Sequence, residues 1–351
     1  MANLRLAIGV LLGVVIVIST VTVFTTIAPR PAKDGGGEEL APLEGYFPNT
    51  RFTMPLTEGS VLELKIESQA VVGGEERNES GVYVLKVKGF EWPEVNVDLE
   101  VKEGNATPGP GVVVFSQLAL PREFLGKDRI SLPVFLPGVG AGVCMEFELK
   151  SRGGGLLVYE GATEVTSYVV KVRASYREDG IIAKFEAFVV GPDVNVKYSH
   201  ELVRIDGVGE TVVEAEWLCT GEGLSSDLRY VNEGLVVIEN GRLEYISVEE
   251  FRRGLQGDAV FLVISKSCPF CQKDWSHMLK ASEDTPVRFY AVIAGPLLGE
   301  EERKAALLEM NKAGVFGTPA FVAYKDGKIV DVKHGFMSYS EILSWIKEVY
   351  G

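Results

Sequence analysis

The feature of this chain that most directly suggests chemistry is a pair of cysteines, Cys268 and Cys271, in the sequence Cys-Pro-Phe-Cys. An apolar run at residues 259–264 precedes the pair and is typical of a buried strand, and residues 272–280 are typical of a helix. A cysteine that opens a helix has its thiolate stabilised by unpaired backbone N–H groups and by the helix dipole. The second sulfur follows about one turn later, close enough to form a disulfide. The spacing therefore predicts reversible thiol–disulfide exchange.

A zinc site is the alternative chemistry for two cysteines at this spacing, but zinc needs two more ligands. The remaining cysteines, Cys144 and Cys219, lie far upstream in a region of different character. The three histidines, His200, His277 and His334, have no paired ligand spacing. We therefore expect neither a metal nor another cofactor.

The segments around the cysteine pair alternate between strand and helix patterns. Upstream, residues 242–246 fit a strand and residues 247–255 a helix that opens with Ser-x-x-Glu, a capping box. Downstream lie a strand at 287–293, a helix at 300–313, the tripeptide Gly317-Thr318-Pro319, strands at 320–324 and 329–332, and a helix opened by Ser338 and Glu341. The Asp-Gly pair between the last two strands predicts a hairpin turn.

In this order the segments resemble the thioredoxin-fold family. The resemblance rests on Cys268-Pro269-Phe270-Cys271 after a strand, Gly317-Thr318-Pro319 before a strand, the Lys-Asp-Gly-Lys hairpin at 325–328, and Gly335 before the last helix. It covers roughly the last third of the chain, which we assign to a thioredoxin-like α/β domain at residues 235–351.

The resemblance implies a role for each matching residue. Cys268 is expected to be the attacking, more exposed sulfur, and Cys271 the resolving, more buried one. Pro319 is expected to be a cis proline beside the disulfide, which is an uncommon conformation. The Thr318 backbone is expected to pair with an extended client peptide. The residues expected to contact the substrate are Pro269, Phe270 and Thr318.

One position departs from the family pattern. Thioredoxins proper carry a buried carboxylate six residues before the first cysteine, and this chain has Leu262 there. Lys266 lies just before the motif instead, and a nearby cation should favour the thiolate of Cys268. Because a stabilised thiolate makes the disulfide form more oxidising, we expect an oxidase or isomerase rather than a reductase of the cytosolic type.

The amino-terminal segment predicts membrane attachment. Residues 6–28 carry no charge, and about 20 apolar residues suffice to cross a bilayer. We expect an uncleaved signal anchor, with a cleaved signal peptide and a buried soluble helix as alternatives. Residues 29–48, rich in Pro and Gly, fit a flexible linker. A single-pass membrane protein with its carboxy-terminal domains outside the cytoplasm is the expected arrangement, and the glycosylation sequons at Asn78 and Asn105 are compatible with it.

Residues 49–232 alternate apolar and polar side chains between Gly-rich or Asn-rich turns, a pattern that predicts an antiparallel β-sandwich or barrel. Cys144 and Cys219 both fall in strand-like segments of this region. A structural disulfide is the first interpretation, since such bonds persist outside the cytoplasm. Two inert buried thiols, or a second redox pair that exchanges with Cys268, are the alternatives.

The sequence thus predicts a multidomain α+β protein, with an N-terminal transmembrane helix, an antiparallel β-sandwich or barrel and a C-terminal thioredoxin-like domain. The formal net charge of -14 argues against nucleic acid as a partner. The expected function is disulfide formation, reduction or isomerisation in client proteins, with a further protein as redox partner. The alternative is an envelope binding or structural β-domain protein in which the thioredoxin-like part is a redox-sensitive interaction module.

Overall fold

A computed structural model describes the chain in four ranges: 50–105, 111–215, 219 and 227–351. The predicted anchor at 6–28 and linker at 29–48 lie outside these ranges. No helix within the four ranges is both long enough and apolar enough to span a bilayer.

Ten antiparallel strands form one large sheet. They are β1 (Thr50–Val72), β2 (Glu75–Glu91), β3 (Glu94–Gly104), β4 (Val112–Val114), β5 (Arg129–Leu136), β6 (Ala141–Gly153), β7 (Leu156–Val165), β8 (Tyr168–Arg177), β9 (Ile182–Val190) and β10 (Val194–Ala215). Their order across the sheet is β4-β3-β2-β1-β10-β9-β8-β7-β6-β5. The sheet curls until its two edges approach each other, and Ser116, just after β4, donates a hydrogen bond to the Pro133 carbonyl on β5. The result is close to a closed barrel.

The period-two pattern explains how this sheet forms its core. On β8, Val170 and Val172 are buried, whereas Lys171 and Arg173, which alternate with them, are exposed. Successive side chains of a strand point to opposite faces, so one face of each strand contributes to a single apolar interior. That interior also contains Cys144 and Cys219.

The predicted fold class, multidomain α+β, is wrong for the residues that the structure describes. Of the described residues, 58% lie in strands and 20% in helices, so the protein is mostly β. The large region is also one continuous sheet rather than two packed sheets. The short alternating runs seen in the sequence are parts of much longer strands. Strand β1 spans 23 residues and β10 spans 22. Both strands continue through register shifts near Leu56, where the alternation breaks without ending the strand.

A second, six-stranded sheet carries the cysteine pair. Its strands are β11 (Gly234–Glu239), β12 (Arg242–Tyr245), β13 (Ala259–Ser265), β14 (Arg288–Ala294), β15 (Ala320–Lys325) and β16 (Lys328–His334), in the order β12-β11-β14-β13-β15-β16. The helices that cover it are α1 (Val248–Gly254), α2 (Pro269–Glu283), α3 (Glu300–Ala313) and α4 (Tyr339–Tyr350). Strands β13 and β14 are parallel, and the other pairs are antiparallel.

Most local predictions for this part hold, with one omission. Capping boxes open α1 and α4, at Ser247 with Glu250 and at Ser338 with Glu341. The hairpin between β15 and β16 pairs Lys325 with Lys328, and the two turn residues have positive φ. Strand β11 was not predicted from the sequence; it pairs with β14 and forms a hairpin with β12.

Candidate active site

The motif occupies the junction between β13 and α2. Every residue of β13 from Ala259 to Ile264 is buried, which explains the uninterrupted apolar run. Cys268 is the N-cap of α2 and Pro269 occupies the first turn, where its missing N–H leaves no hydrogen bond unmade. The Cys268 N–H donates to the Ser265 carbonyl at 3.1 Å, so a tight turn aims the sulfur at the start of the helix.

The sulfur of Cys268 is partly exposed and is hydrogen-bonded on two sides. The backbone N–H of Cys271 donates to Cys268 Sγ at 3.2 Å, and Sγ lies 3.4 Å from the Thr318 carbonyl oxygen. Burial raises the pKa of Cys268, but hydrogen bonds with the side chains of Cys271 and Thr318 and with the backbone of Cys271 and Phe270 outweigh it, and the pKa lies below its ordinary value. Cys268 is therefore the sulfur that more readily becomes a thiolate.

The sulfur of Cys271 has the opposite character. The residue is completely buried, and burial followed by the hydrogen bond with Cys268 raises the pKa of Cys271 to about 12. The two thiols thus differ in both exposure and acidity. The sulfur of Cys268 is accessible from solvent, whereas that of Cys271 is not.

The loop before β15, the strand next to β13, completes the site. The peptide bond between Thr318 and Pro319 is cis, as the resemblance implies, and Pro319 is buried. Gly335, directly after β16, donates its N–H to the Pro319 carbonyl at 2.9 Å. The structure therefore brings together Cys268, Cys271, Thr318 and Pro319, which are separated by up to about fifty residues in the sequence.

Three exposed phenylalanines lie next in sequence to the residues of this site, and only the first was expected there from the sequence. Phe270 lies within the motif and is 58% exposed. Phe316, two residues before Thr318, is 86% exposed, and Phe336, which follows Gly335, is 43% exposed. Pro269 beside them is exposed as well. The presence of a phenylalanine within or next to each predicted site segment is the sequence feature from which these exposed aromatic groups could have been predicted.

Lys266 does not occupy the position that the sequence suggests. Its side chain is buried, and Nζ donates to the Gly142 carbonyl of β6 and lies 3.7 Å from the Glu233 carboxylate. Burial lowers the pKa of Lys266 to about 8, although Glu233 opposes this effect. The groups that favour the Cys268 thiolate are hydrogen-bond donors at the helix start, and Lys266 instead joins the motif loop to the large sheet.

Two further residues near the motif have buried side chains. Leu262, at the position of the family's carboxylate, is fully buried in the core between the sheet and α2. Asp274 is fully buried on α2, where Cys271, Trp275 and Met278 share the buried face. Asp274 was not among the predicted site residues, although an acidic residue at an apolar position of an amphipathic helix is a usable signal.

The remaining cysteines form a separate feature. Cys144 on β6 and Cys219 are joined by a disulfide with 5.6 Å between their Cα atoms, and both side chains are buried. They belong to the core of the large sheet, whereas Cys271 belongs to the core of the small one. Within the described ranges, His, Cys, Asp and Glu side chains form no group of three suited to a metal ion.

A partly exposed sulfur at a helix start, a buried partner sulfur one turn later and an adjacent cis proline define a thiol–disulfide oxidoreductase-like module. Solved structures that are similar to this chain support the same class of module. A thioredoxin from Aeropyrum pernix is 51% identical over 34% of this chain and 98% of its own, with a TM-score of 0.34. At that identity and coverage the chain belongs to the thioredoxin family through its carboxy-terminal third.

Two structures of lower identity are also among the matches. A thioredoxin from Trypanosoma brucei brucei is 20% identical over 29% of this chain and 85% of its own, with a TM-score of 0.24. Thioredoxin-2 of a malaria parasite is 18% identical over 26% of this chain and 84% of its own, with a TM-score of 0.21. No protein-family model matches the chain, and no curated protein sequence matches it.

Proposed function

We propose that the chain is a thiol–disulfide oxidoreductase that acts on client proteins outside the cytoplasm. The observation that carries the proposal is the asymmetry of the two sulfurs. Cys268 is partly exposed and hydrogen-bonded in a way that lowers its pKa, and Cys271 is buried with a raised pKa. Disulfide exchange by a dithiol needs one accessible nucleophile and one protected resolving thiol.

In the reductive direction, the Cys268 thiolate attacks one sulfur of a client disulfide, whose sulfur–sulfur bond breaks and releases a client thiolate. The product is a mixed disulfide between Cys268 and the client. Cys271 then loses its proton and attacks Cys268 Sγ, which breaks the mixed disulfide and releases the second client sulfur. Two electrons pass from the dithiol to the client. In the oxidative direction the same steps run backwards, and a separate redox protein restores the starting state in either case.

The surface around Cys268 supports clients that present apolar side chains beside their cysteines. Phe270 is exposed within the motif, Phe316 is exposed two residues before Thr318, and Phe336 is exposed next to Gly335, whose N–H donates to the Pro319 carbonyl. Exposed aromatic groups of this kind supply a large part of the binding energy at protein interfaces. The Thr318 carbonyl, 3.4 Å from Cys268 Sγ, lies where the backbone of an extended client segment could pair with this loop.

The location outside the cytoplasm is supported by the disulfide between Cys144 and Cys219. Structural disulfides persist in oxidising compartments and are rare where thiol reductants are abundant. The same environment would supply clients whose disulfides require formation or rearrangement.

Turnover of a peptide disulfide by the intact chain tests the proposal. The wild type should catalyse exchange, Cys268→Ser should fall to the uncatalysed background, and Cys271→Ser should accumulate the mixed disulfide, seen as a mass increase equal to one client chain. Full turnover by Cys268→Ser would contradict the role of that sulfur. A chain that equilibrates with glutathione but turns over no client would instead support the redox-sensitive interaction module.

The reduction potential of the Cys268–Cys271 pair would then give the direction of electron flow. A value near about -270 mV would indicate a reductase, and a value near about -120 mV an oxidase.

A further inference from the structure

Asp274 has an arrangement that protein interiors normally avoid. Its side chain is fully buried on α2. One oxygen, Oδ1, accepts a hydrogen bond from the Met337 N–H at 3.3 Å, while Oδ2 is buried and has no hydrogen-bond partner among the described residues. A buried carboxylate oxygen without a partner is costly, and such groups in native proteins usually have a reason to be there.

The exchange reaction provides a reason. Cys271 must lose its proton before it can attack the mixed disulfide, because the thiolate and not the thiol is the nucleophile. Its sulfur is completely buried, and its raised pKa makes spontaneous ionisation near neutral pH rare. A proton acceptor inside the same buried region would remove this obstacle.

Asp274 is placed to be that acceptor. It follows Cys271 by three residues on α2, and residues with this spacing share one face of a helix. Helical side chains also lean towards the amino terminus, which directs the Asp274 carboxyl towards the turn that holds Cys271. The other candidates near the motif do not serve, since Leu262 has no ionisable group and Lys266 is engaged with Gly142 and Glu233.

We propose that Asp274 accepts the proton of the Cys271 thiol during resolution of the mixed disulfide, directly or through one water molecule. The S–H bond of Cys271 breaks, its proton moves to Oδ2, and the electron pair forms the bond to Cys268 Sγ. The bond between Cys268 and the client sulfur breaks, and the client leaves as a thiolate that takes up a proton from solvent. Asp274 later returns its proton to solvent. This inference rests on the proposed function.

The surroundings of Asp274 are compatible with the role. On its own helix, the titratable neighbours on the same side are Cys271 and His277, and α4 contributes Glu341. Strand β11, which packs against α2, contributes the apolar side chains of Val236 and Ile238. Burial, and to a smaller extent Glu341, raises the pKa of Asp274 to about 7 against the opposing effect of the Met337 N–H. A proton acceptor whose pKa is near 7 is well suited to proton transfer near neutral pH.

Stopped-flow measurement of the two steps in the intact chain tests the inference. With a labelled peptide disulfide, the wild-type rate constant for resolution should rise with pH through an inflection near the pKa of Asp274. In Asp274→Asn, resolution should slow about 10- to 100-fold and lose that inflection, and Asp274→Glu should recover part of the rate. Asp284→Asn, an exposed aspartate at the end of the same helix, is the matched control and should leave both steps unchanged.

The attack step separates a chemical role from a structural one. Cys271→Ser and the double variant Cys271→Ser/Asp274→Asn should form the mixed disulfide at equal rates, because the proton transfer concerns only resolution. Wild-type resolution rates in Asp274→Asn at every pH would overturn the inference and leave the proposed function intact. If the Asn and Glu variants do not fold, the wild-type profile decides, and a resolution rate without an inflection near neutrality would overturn it. Absence of any exchange by the wild type would instead remove the proposed function.

Discussion

Lys266 donates a hydrogen bond through Nζ to the Gly142 carbonyl and so attaches the loop before the reactive cysteine to strand β6 of the large sheet. The backbone of the same residue is held within the small sheet region, because its N–H donates to the Ala294 carbonyl at 3.0 Å and its carbonyl accepts from the Gln272 side chain at 2.9 Å. Lys266 therefore links strand β6 of the large sheet to strand β14 and helix α2 of the small-sheet region. Helix α2 is the helix that opens at Cys268.

Replacement of Lys266 tests whether its charge acts on the sulfur or on the contact with the large sheet. In Lys266→Met we expect the pKa of Cys268 to change by less than about 0.5 unit, because the side chain is directed at Gly142 and Glu233. Stability should fall by about 1–3 kcal/mol, since Gly142 loses a donor and Glu233 loses its counter-charge. Thiolate absorbance against pH and urea unfolding measure the two effects.

The control is Lys273→Met, which removes an exposed cation from α2 and should change neither quantity appreciably. Removal of a cation that stabilised the thiolate would raise the Cys268 pKa. A rise of about one unit or more in Lys266→Met would therefore restore the original expectation that Lys266 acts on the sulfur.

Gly142 itself is required by close packing. A Cβ atom at this position would lie 2.7 Å from both the Arg229 carbonyl oxygen and the Tyr230 ring. We expect Gly142→Ala to cost about 1–3 kcal/mol in urea unfolding, because the segment that connects the two sheets must shift. Gly153→Ala, on the same strand but with open space around it, should be close to neutral. Equal stabilities for the two variants would show that the contact between the sheets is loose.

The disulfide between Cys144 and Cys219 closes a loop with a sequence separation of 75 residues. Its removal in Cys144→Ala/Cys219→Ala should lower the free energy of unfolding by about 4 kcal/mol. Exchange activity in the folded protein should persist, since these residues lie in the core of the large sheet and Cys271 in that of the small one. Loss of turnover in a variant that is still folded would favour the alternative of a second redox pair that exchanges with Cys268.

The parts of the fold that sequence analysis anticipates are those encoded locally. A capping box such as Ser338 with Glu341 involves residues within one helical turn, and the hairpin at Asp326 depends on two consecutive residues. The direction of the Lys266 side chain depends on Gly142, which lies 124 residues away. No local sequence pattern contains that information. A cation beside a cysteine lowers the pKa of the cysteine only when it faces the sulfur, and the Lys266 side chain is directed at Gly142 instead. The single large sheet was missed for a similar reason, since register between β1 and β10 is a long-range property.

Exposed aromatic groups should matter for protein clients and not for small disulfides. In Phe316→Ser, kcat/KM for a peptide disulfide with apolar flanking residues should fall about tenfold, mainly through KM, because the side chain is 86% exposed and available for contact. The rate with glutathione disulfide should stay unchanged. Phe188→Ser, on the large sheet, removes another exposed phenylalanine and should affect neither substrate. Equal losses for both substrates would mean that Phe316 shapes the site rather than binds the client.

Asp274 should reduce the stability of the folded protein in a pH-dependent way. Burial raises its pKa from 3.8 to about 7, so the folded state holds this proton more tightly than the unfolded state does. Its contribution is most favourable below the unfolded pKa, declines as pH rises towards 7 and is fully unfavourable above that. Asp274→Asn cannot ionise, and it should be more stable than the wild type by about 1–3 kcal/mol at about pH 8, with the difference shrinking towards pH 4.

Urea unfolding across this range measures the effect, and Asp284→Asn should show no such trend, because that aspartate is exposed. A variant less stable than the wild type at every pH would mean that Asp274 serves the fold, for example through its hydrogen bond with the Met337 N–H. A variant that gains stability above neutrality while losing rate in the resolution step would identify a residue that reduces stability and serves the chemistry. The pH dependence of stability and that of resolution should then share one midpoint, since both would follow the ionisation of the same carboxyl group.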